Sequence, residues 1–511
     1  MMRRRRPVRI VLPALLLFAG ACAPALQSQR EDPLRGLDTL LERARTGAEI
    51  PGLALAVVRN DSVIYARGFG VLEQGGSERV DANTLFAIGS NTKAFTAALV
   101  GRLVEDGKMR WDDPVTQHLP EFRLFDPYVT REITLRDALS HRSGLGRRGD
   151  MIWYATPYDR TEVIRRVRHL EPNTSFRSQF GYQNIMFIAA GEAAANAGGS
   201  SWDELVATQL LRPLGMRRSN TSVRALEGVA NVATPHTRRA GDVVPIAWRN
   251  IDNAGPAGSI NSSVLDMAQW VRMLLGDGEL DGRRILAEAT VREIQAPHTI
   301  AGTGTDSLFP MRHFSAYGLG LGLSDYYGRK LLMHSGGIDG MLSTVALLPE
   351  ENLGLVLLTN SDAHSIYGPL TYDIIDRLIG APRRDLTARA IANDVDARAT
   401  AQKAEQEMEA RRVTGTRPSL ALEEYAGTYD SQLYGAVDIV LENGRLVATR
   451  FDTLRAPLEH WHYDTFRATW SDAALGRSLI TFALDATGKV ASLEVDGLGR
   501  FRRAPAKGRD R

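Results

Sequence analysis

The 511-residue chain carries 62 basic and 60 acidic residues, so its net charge at neutral pH is only +2. At 44% hydrophobic and 24% charged residues it has the makeup of a globular protein, long enough for two or three domains. The balanced charge excludes a global drive toward nucleic acid or an anionic membrane. A single cysteine, Cys22, excludes an intrachain disulfide and a multi-cysteine zinc site.

The N-terminus reads Arg3-Arg4-Arg5-Arg6, then an apolar run from Ile10 to Ala21, then Cys22. A basic start, about a dozen apolar residues and the small Ala19-Gly20-Ala21 predict an export signal over residues 1–22. The run is too short to span a bilayer as a helix. The expected location is the periplasm. Phe18-Ala19-Gly20-Ala21-Cys22 also resembles a bacterial lipoprotein signal, in which the cysteine is acylated and becomes the first mature residue. Ala19 stands where Leu is usual, so ordinary cleavage that discards Cys22 is the alternative. Membrane contact is expected only through such a lipid anchor.

Downstream, Asp32 to Glu49 predicts an amphipathic helix with Leu34, Leu37, Leu40 and Leu41 on one face. Leu53–Val58 and Val63–Phe69, joined at Asn60-Asp61, predict a β-hairpin. A helix is expected from near Ser90 to the stop signal Gly107. Residues from about 110 to 300 are rich in helical patterns and Pro/Gly loops. Strand signals return at Leu331–His334, Leu342–Leu348 and Leu355–Thr359, and a helix follows from Tyr367 to Ile379. Strands at both ends with helices between them predict a mixed α/β (α+β) domain over residues 33–380. Its core would be one antiparallel sheet flanked by helices, with a helical insert.

Residues 381–418 are charged, Ala-rich and poor in large apolar side chains, as expected of a helical linker. From 419 to 511 the pattern is all β. Val437–Leu441 and Leu446–Phe451 flank Asn443-Gly444, a type I′ hairpin signal. A small barrel or sandwich is expected there. It either walls a neighbouring site, mediates homo-oligomer formation or is a bystander.

Chemistry concentrates in three places. Ser90-Asn91-Thr92-Lys93 is the only S-x-x-K in a chain with six lysines. An i, i+3 pair shares a helix face, so Lys93 reaches the Ser90 hydroxyl. Burial would lower the lysine pKa and make it a base, while the helix N-terminus favours a developing oxyanion. Tyr182-Gln183-Asn184 offers a tyrosine for proton transfer, as a phenolate or hydrogen-bonded to the lysine, and an asparagine to orient lysine and substrate. His334-Ser335-Gly336-Gly337 follows a short strand, where small residues let a substrate backbone approach and pair.

Ser-x-x-Lys, Tyr-x-Asn and His-x-Gly in this order resemble the penicillin-recognising serine hydrolases. The nearest branch holds class C β-lactamases, D-alanyl-peptide hydrolases and related esterases. Thr134 to Leu145, Pro256 to Ser263 and Tyr317 to Gly322 resemble further landmarks of that branch. The resemblance covers residues 35–380 and implies a β-lactamase/transpeptidase-like fold, with no cofactor. It implies Ser90 as nucleophile, Lys93 as base and Tyr182 as relay and acid. Asn184, His334, Ser335 and Gly336 would bind substrate, and the backbone N–H groups of Ser90 and Gly337 would form the oxyanion hole. The C-terminal segment resembles lipocalin-like modules appended to such enzymes. One departure is His334, where the penicillin-binding pattern has a lysine whose cation helps hold the substrate carboxylate. Members with His there often cleave esters or D-amino-acid peptides. A small-molecule or peptide substrate is therefore expected.

Rival readings have less support. No G-x-S-x-G elbow is present for an α/β-hydrolase, and His460-Trp461-His462 lacks a carboxylate partner for a metal site. A β-lactamase or DD-peptidase activity, or a sensor that acylates without turnover, remains the alternative.

Overall fold

Two apolar runs from opposite ends of the domain become neighbouring central strands. A computed structural model describes residues 32–303 and 309–505. The export signal and Cys22 lie outside the described residues. Helix α1 (Leu37–Gly47) leads into β1 (Gly52–Arg59) and β2 (Ser62–Gly70). Asn60 and Asp61 make the turn between them at φ of 50° and 58°, the left-handed pair that a tight hairpin requires. The helix starts at Leu37 rather than Asp32, after Gly36 at φ 74°. Leu37 and Leu41 are buried, and Leu34 and Leu40 are partly buried.

The other strands are β3 (Thr299–Thr303), β4 (Phe314–Tyr317), β5 (Gly322–Tyr326), β6 (Arg329–Ile338), β7 (Met341–Leu348) and β8 (Leu353–Thr359). They form one sheet in the order β2-β1-β8-β7-β6-β5-β4-β3, antiparallel at every pairing. Side-chain alternation splits the core in two. From β1, Ala54, Ala56 and Val58 face the larger cluster, while Leu53, Leu55 and Val57 face the smaller one. Helix α1 and the helix at Tyr367–Ile379 cover the smaller cluster. The larger one is filled by α2 (Thr92–Glu105), α3 (Asn184–Gly198) and α4 (Val264–Leu275). Residues Thr92 to Gly101 of α2 are all buried, which is why this stretch is apolar on every side apart from Lys93 and its threonines.

Strand β6 runs past the expected end near His334. Ser335 to Ile338 pair with Met341 to Thr344 of β7, so the glycines are strand residues rather than a turn. On the other side the β5 pairing stops at Met333, leaving residues 334–338 with an open edge.

Helix α5 (Tyr367–Ile379) closes the domain, and α6 (Leu386–Ala410) occupies the expected linker. Leu386, Thr387 and Ala390 of α6 are buried, and Leu386 and Ala390 join the α1–α5 cluster. Glu405 and Glu409, near its far end, pair with Arg477 and Arg467 of the C-terminal domain. The linker is thus a brace anchored at both ends.

The C-terminal strands are β9 (Gly427–Ser431), β10 (Gly435–Glu442), β11 (Arg445–Arg450), β12 (Leu454–His462), β13 (Thr465–Thr469), β14 (Arg477–Leu484), β15 (Val490–Val495) and β16 (Gly499–Arg503). They close into a barrel of sequential hairpins, with β9 pairing back onto β16. Eight strands enclose a space that side chains can fill. Tyr429, Phe466, Phe482 and Phe501 are among the buried groups that fill it. The barrel leans on the hydrolase-like domain beside a cleft. The Tyr434 hydroxyl donates to the Arg148 carbonyl at 3.2 Å, and Arg166 donates to the Gln432 carbonyl at 3.0 Å.

Candidate active site

The first motif folds as a 3₁₀ turn, Gly89–Asn91, that runs directly into α2. Ser90 therefore sits at the head of a buried helix, partly exposed to a cavity of about 500 Å³. The turn is pinned from the sheet. Asn91 Nδ2 donates to Ser343 Oγ at 2.7 Å, and Ser343 Oγ donates to the Ile88 carbonyl at 2.7 Å. Strand β6 packs against the same turn. A Cβ on Gly336 would fall 1.9 Å from the Ile88 oxygen, and one on Gly89, at φ 50°, 2.6 Å from the Gly337 nitrogen. Only glycine permits this approach. It brings the Gly337 amide beside the Ser90 turn, where two N–H groups can face one oxygen.

Lys93 is fully buried. Its Nζ donates to Ser90 Oγ at 3.1 Å, to Asn184 Oδ1 at 2.7 Å and to the Ala257 carbonyl at 2.8 Å. None of these partners carries charge. Burial drives its ammonium well below the ordinary lysine value, against the pull of the Asp150 carboxylate and with the push of Arg147. A neutral amine so placed can accept the Ser90 proton.

Tyr182 lies over Lys93, with Nζ 4.9 Å from its ring centre. Burial pushes its hydroxyl up to about 12, tempered by a hydrogen bond with Ser90 and by Arg147. Of the two expected forms the phenolate is therefore disfavoured. Tyr182 is a phenol near neutral pH, and it bonds Ser90 rather than Lys93. Asn184 opens α3 and is committed at both ends, since its Nδ2 donates to Asp150 Oδ1 at 2.9 Å. Its amide orients the lysine and leaves little for a substrate.

His334 lines the cavity beside Ser335. It is buried, with Nδ1 2.7 Å from the Ser335 carbonyl and Nε2 2.8 Å from the Tyr317 hydroxyl. The carbonyl can only accept, so Nδ1 carries the proton and Nε2 accepts from Tyr317. Burial lowers its pKa to about 3, with Lys93 adding to the effect. Both ring nitrogens are occupied and the ring is uncharged. Ser335, Gly336 and Gly337 line the cavity along the open edge of β6.

Sequence reasoning assigned no role to several groups that the fold brings in. His141, fully buried at φ 58°, accepts from the Gln183 N–H at 3.1 Å and packs its ring at a tilt against those of Tyr182, Phe187 and Tyr317. It fixes the turn that carries Tyr182. His141 and Tyr317 fall in landmark segments already marked by resemblance, which was the available signal. Asp150, Arg147 and Arg249 gave none. Arg249 sits where the barrel meets the cleft. Its Nε is 2.7 Å from Asp339 Oδ2, and its two Nη atoms lie 2.6 and 2.9 Å from the Asp472 carboxylate of the barrel. Tyr154 donates to the same Asp339 at 2.7 Å. Among the described residues no group of acidic, histidine or cysteine side chains is arranged to hold a metal.

Residues 37–374 match the family model described as Beta-lactamase. The chain belongs to the Beta-lactamase family. Residues 411–505 match a second model, a domain of unknown function (DUF3471) that coincides with the barrel. Among curated relatives of this Beta-lactamase-family hydrolase, an unguisins hydrolase of Aspergillus violaceofuscus is 32% identical over 466 residues. That match covers 82% of this chain and 80% of that protein. Penicillin-binding protein 4 of Amycolatopsis lactamdurans is 29% identical over 66% of this chain and 88% of its own. The octameric penicillin-binding protein homologue from Pyrococcus abyssi superposes with a TM-score of 0.62 at 20% identity, covering 92% of this chain and 99% of that one. SurE superposes with a TM-score of 0.54 at 20% identity over the same shares, so both domains recur together in these folds.

Proposed function

We propose that this protein is a serine hydrolase that forms an acyl-enzyme on Ser90 and acts on small esters or amides, D-amino-acid-containing peptides among them. One observation carries the reading. A fully buried lysine touches Ser90 Oγ and two other neutral acceptors and meets no carboxylate of the described residues within ion-pair distance. Such a lysine is tuned as a base, not held as a counter-ion.

In the proposed reaction Lys93 takes the Ser90 proton as Oγ attacks the substrate carbonyl. The N–H groups of Ser90 and Gly337 receive the developing negative charge. The phenol of Tyr182 protonates the departing group, and water then releases the acyl group by the reverse proton path. The open edge of β6 beside Ser90 supports a substrate that pairs its backbone with Ser335–Gly337. A peptide substrate also accords with a relative named for hydrolysing unguisins and a fold neighbour described with D-Leu. The occupied His334 supports esters and amides over substrates that need a cation at that position. Export to the periplasm, with Cys22 lipidated or removed, remains part of the proposal on the strength of residues 1–22.

The test is hydrolysis of p-nitrophenyl acetate and butyrate by the chain lacking residues 1–22, beside Ser90→Ala. Turnover lost in the variant and retained on a D-amino-acid amide panel supports the reading. A covalent adduct that persists for hours without product favours the non-turnover sensor. Equal turnover by both proteins refutes Ser90 as nucleophile.

A further inference from the structure

Beside the Ser90 cavity lies a larger one, of about 1120 Å³, between the two domains. The hydrolase-like domain supplies one wall from residues 154–157, from the small hairpin of His236–Arg239 with Asp242–Pro245 and from residues 246–250. The barrel supplies the other from Thr453, Leu454 and residues 471–474. Tyr154, Asp339 and Asp362 line both cavities, so the two adjoin there. The junction is a fixed sill. Tyr154 donates to Asp339 at 2.7 Å, and Arg249 holds the same carboxylate while its guanidinium lies 5.0 Å from the centre of the Tyr154 ring. The chemistry at Ser90 gives this second space no task.

Direction and charge decide what can fill it. In the proposed reaction the leaving atom lies within reach of Tyr182. The acyl side of a substrate held on the β6 edge then runs the other way, past Gly337 and Ile338 to Asp339, which is the junction. Two positions of extended chain span about 7 Å, so an acyl chain longer than about two residues projects between the domains. The charges there are largely matched within the protein, since Arg249 is tied to Asp339 and Asp472, and Arg238 to Glu49. Between them stand the polar Thr237, Asn250 and Ser471 and the apolar Ile246, Trp248 and Leu454. Walls of that kind suit a neutral chain that alternates polar and apolar groups, as a peptide does.

We propose that the cavity between the domains is a binding site for the acyl side of a substrate several residues long, an oligopeptide, and that the barrel serves as its second wall. This rests on the Ser90 acyl-enzyme reading and extends it beyond small esters. Contacts made far from the scissile bond supply binding energy that can be used at the reacting carbonyl, so a longer acyl chain should react faster as well as bind tighter. Of the three places expected for the barrel, as wall, oligomer contact or bystander, this assigns the first.

Two thioesters with the same leaving group test it, the S-ethyl thioesters of acetylglycine and acetylpentaglycine, with the chain lacking residues 1–22. That chain contains no cysteine, so released ethanethiol can be followed with a thiol reagent during turnover. In each cycle the acyl group passes to Ser90 Oγ, the thiol leaves with the proton from Tyr182, and water then frees the acid. The wild type should favour the pentaglycine thioester by about tenfold or more in kcat/KM. Ala247→Trp on the hydrolase-like wall and Ala474→Trp on the barrel wall, both at exposed positions lining the cavity, fill it from opposite sides. Each should bring the ratio close to one and leave acetylglycine turnover unchanged, which also shows that the variant has folded. Equal kcat/KM for the two thioesters in the wild type overturns the assignment. So does a length preference that both tryptophan variants keep. Thioester turnover that survives Ser90→Ala would instead defeat the acyl-enzyme reading, whatever the ratio.

Discussion

Lys93 on the floor of the cleft and Arg249 at its outer wall are both cations drawn out of water, and they have opposite fates. Lys93 is given only neutral acceptors, so burial lowers its hold on its proton. Arg249 is set between the carboxylates of Asp339 and Asp472, which hold its charge in place despite burial. The difference lies in the partners and not in the depth. A cation surrounded by dipoles becomes a base, and a cation surrounded by anions becomes a joint. Here that joint ties the strand turn beside Gly337 to the barrel.

The comparison breaks most sharply at Lys93. Lys93→Arg keeps a cation but cannot give up its proton, so ester turnover should fall by at least about 10³-fold. A smaller loss in kcat would show that deprotonation at this position is not required. Arg249→Leu should act on the other side of the contrast. It leaves two carboxylates facing each other at the joint, and should lower stability by about 2–3 kcal/mol, read from the urea midpoint. Asp472→Asn, which leaves the Asp339 pair intact, should cost less than half of that.

Acid weakens both regions, each in its own pH range. Lys93 has a depressed value in the folded protein, so the unfolded chain binds its proton more readily. Its contribution to stability is present at high pH, and both that and activity are lost as pH falls through the depressed value. Asp150 opposes that depression. Asp150→Asn should therefore move the acid limb of kcat/KM to lower pH, whereas Asp472→Asn should leave the limb in place. Asp472 itself is held below the usual carboxylate range, chiefly by its bond to Arg249. The joint should keep its strength above the ordinary Asp value and weaken only below it. The smallest expected effect is at Tyr434. Tyr434→Phe removes one hydrogen bond to the Arg148 carbonyl, worth about 1 kcal/mol in the same urea measurement.

The division also explains what could be read from the sequence. Ser90 and Lys93 are three residues apart on one helical turn, so their contact is local and legible. Tyr182 and Asn184 share a short motif ahead of an apolar helix. The barrel announced itself through Asn443-Gly444, at φ of 49° and 74°, between alternating strands. His334 was legible as a motif residue, but its hydrogen bond to Tyr317, 17 positions away, was not. The Arg249 joint was invisible for the same reason, since Asp339 and Asp472 are remote in the chain and no local pattern distinguishes one arginine in an arginine-rich sequence. The end of β6 was placed too early because glycines ordinarily weaken strands. Here Gly336 is required by the Ile88 carbonyl against which it packs.

The central claim is a covalent acyl-enzyme on Ser90. Its most direct measurement is the intact mass of wild type and Ser90→Ala, acid-quenched during turnover of p-nitrophenyl butyrate, followed by peptide mapping. The account predicts the mass of one butyryl group on the wild-type peptide containing Ser90, absent from the variant. An adduct on another residue, or undiminished ester turnover by Ser90→Ala with no adduct, would contradict it.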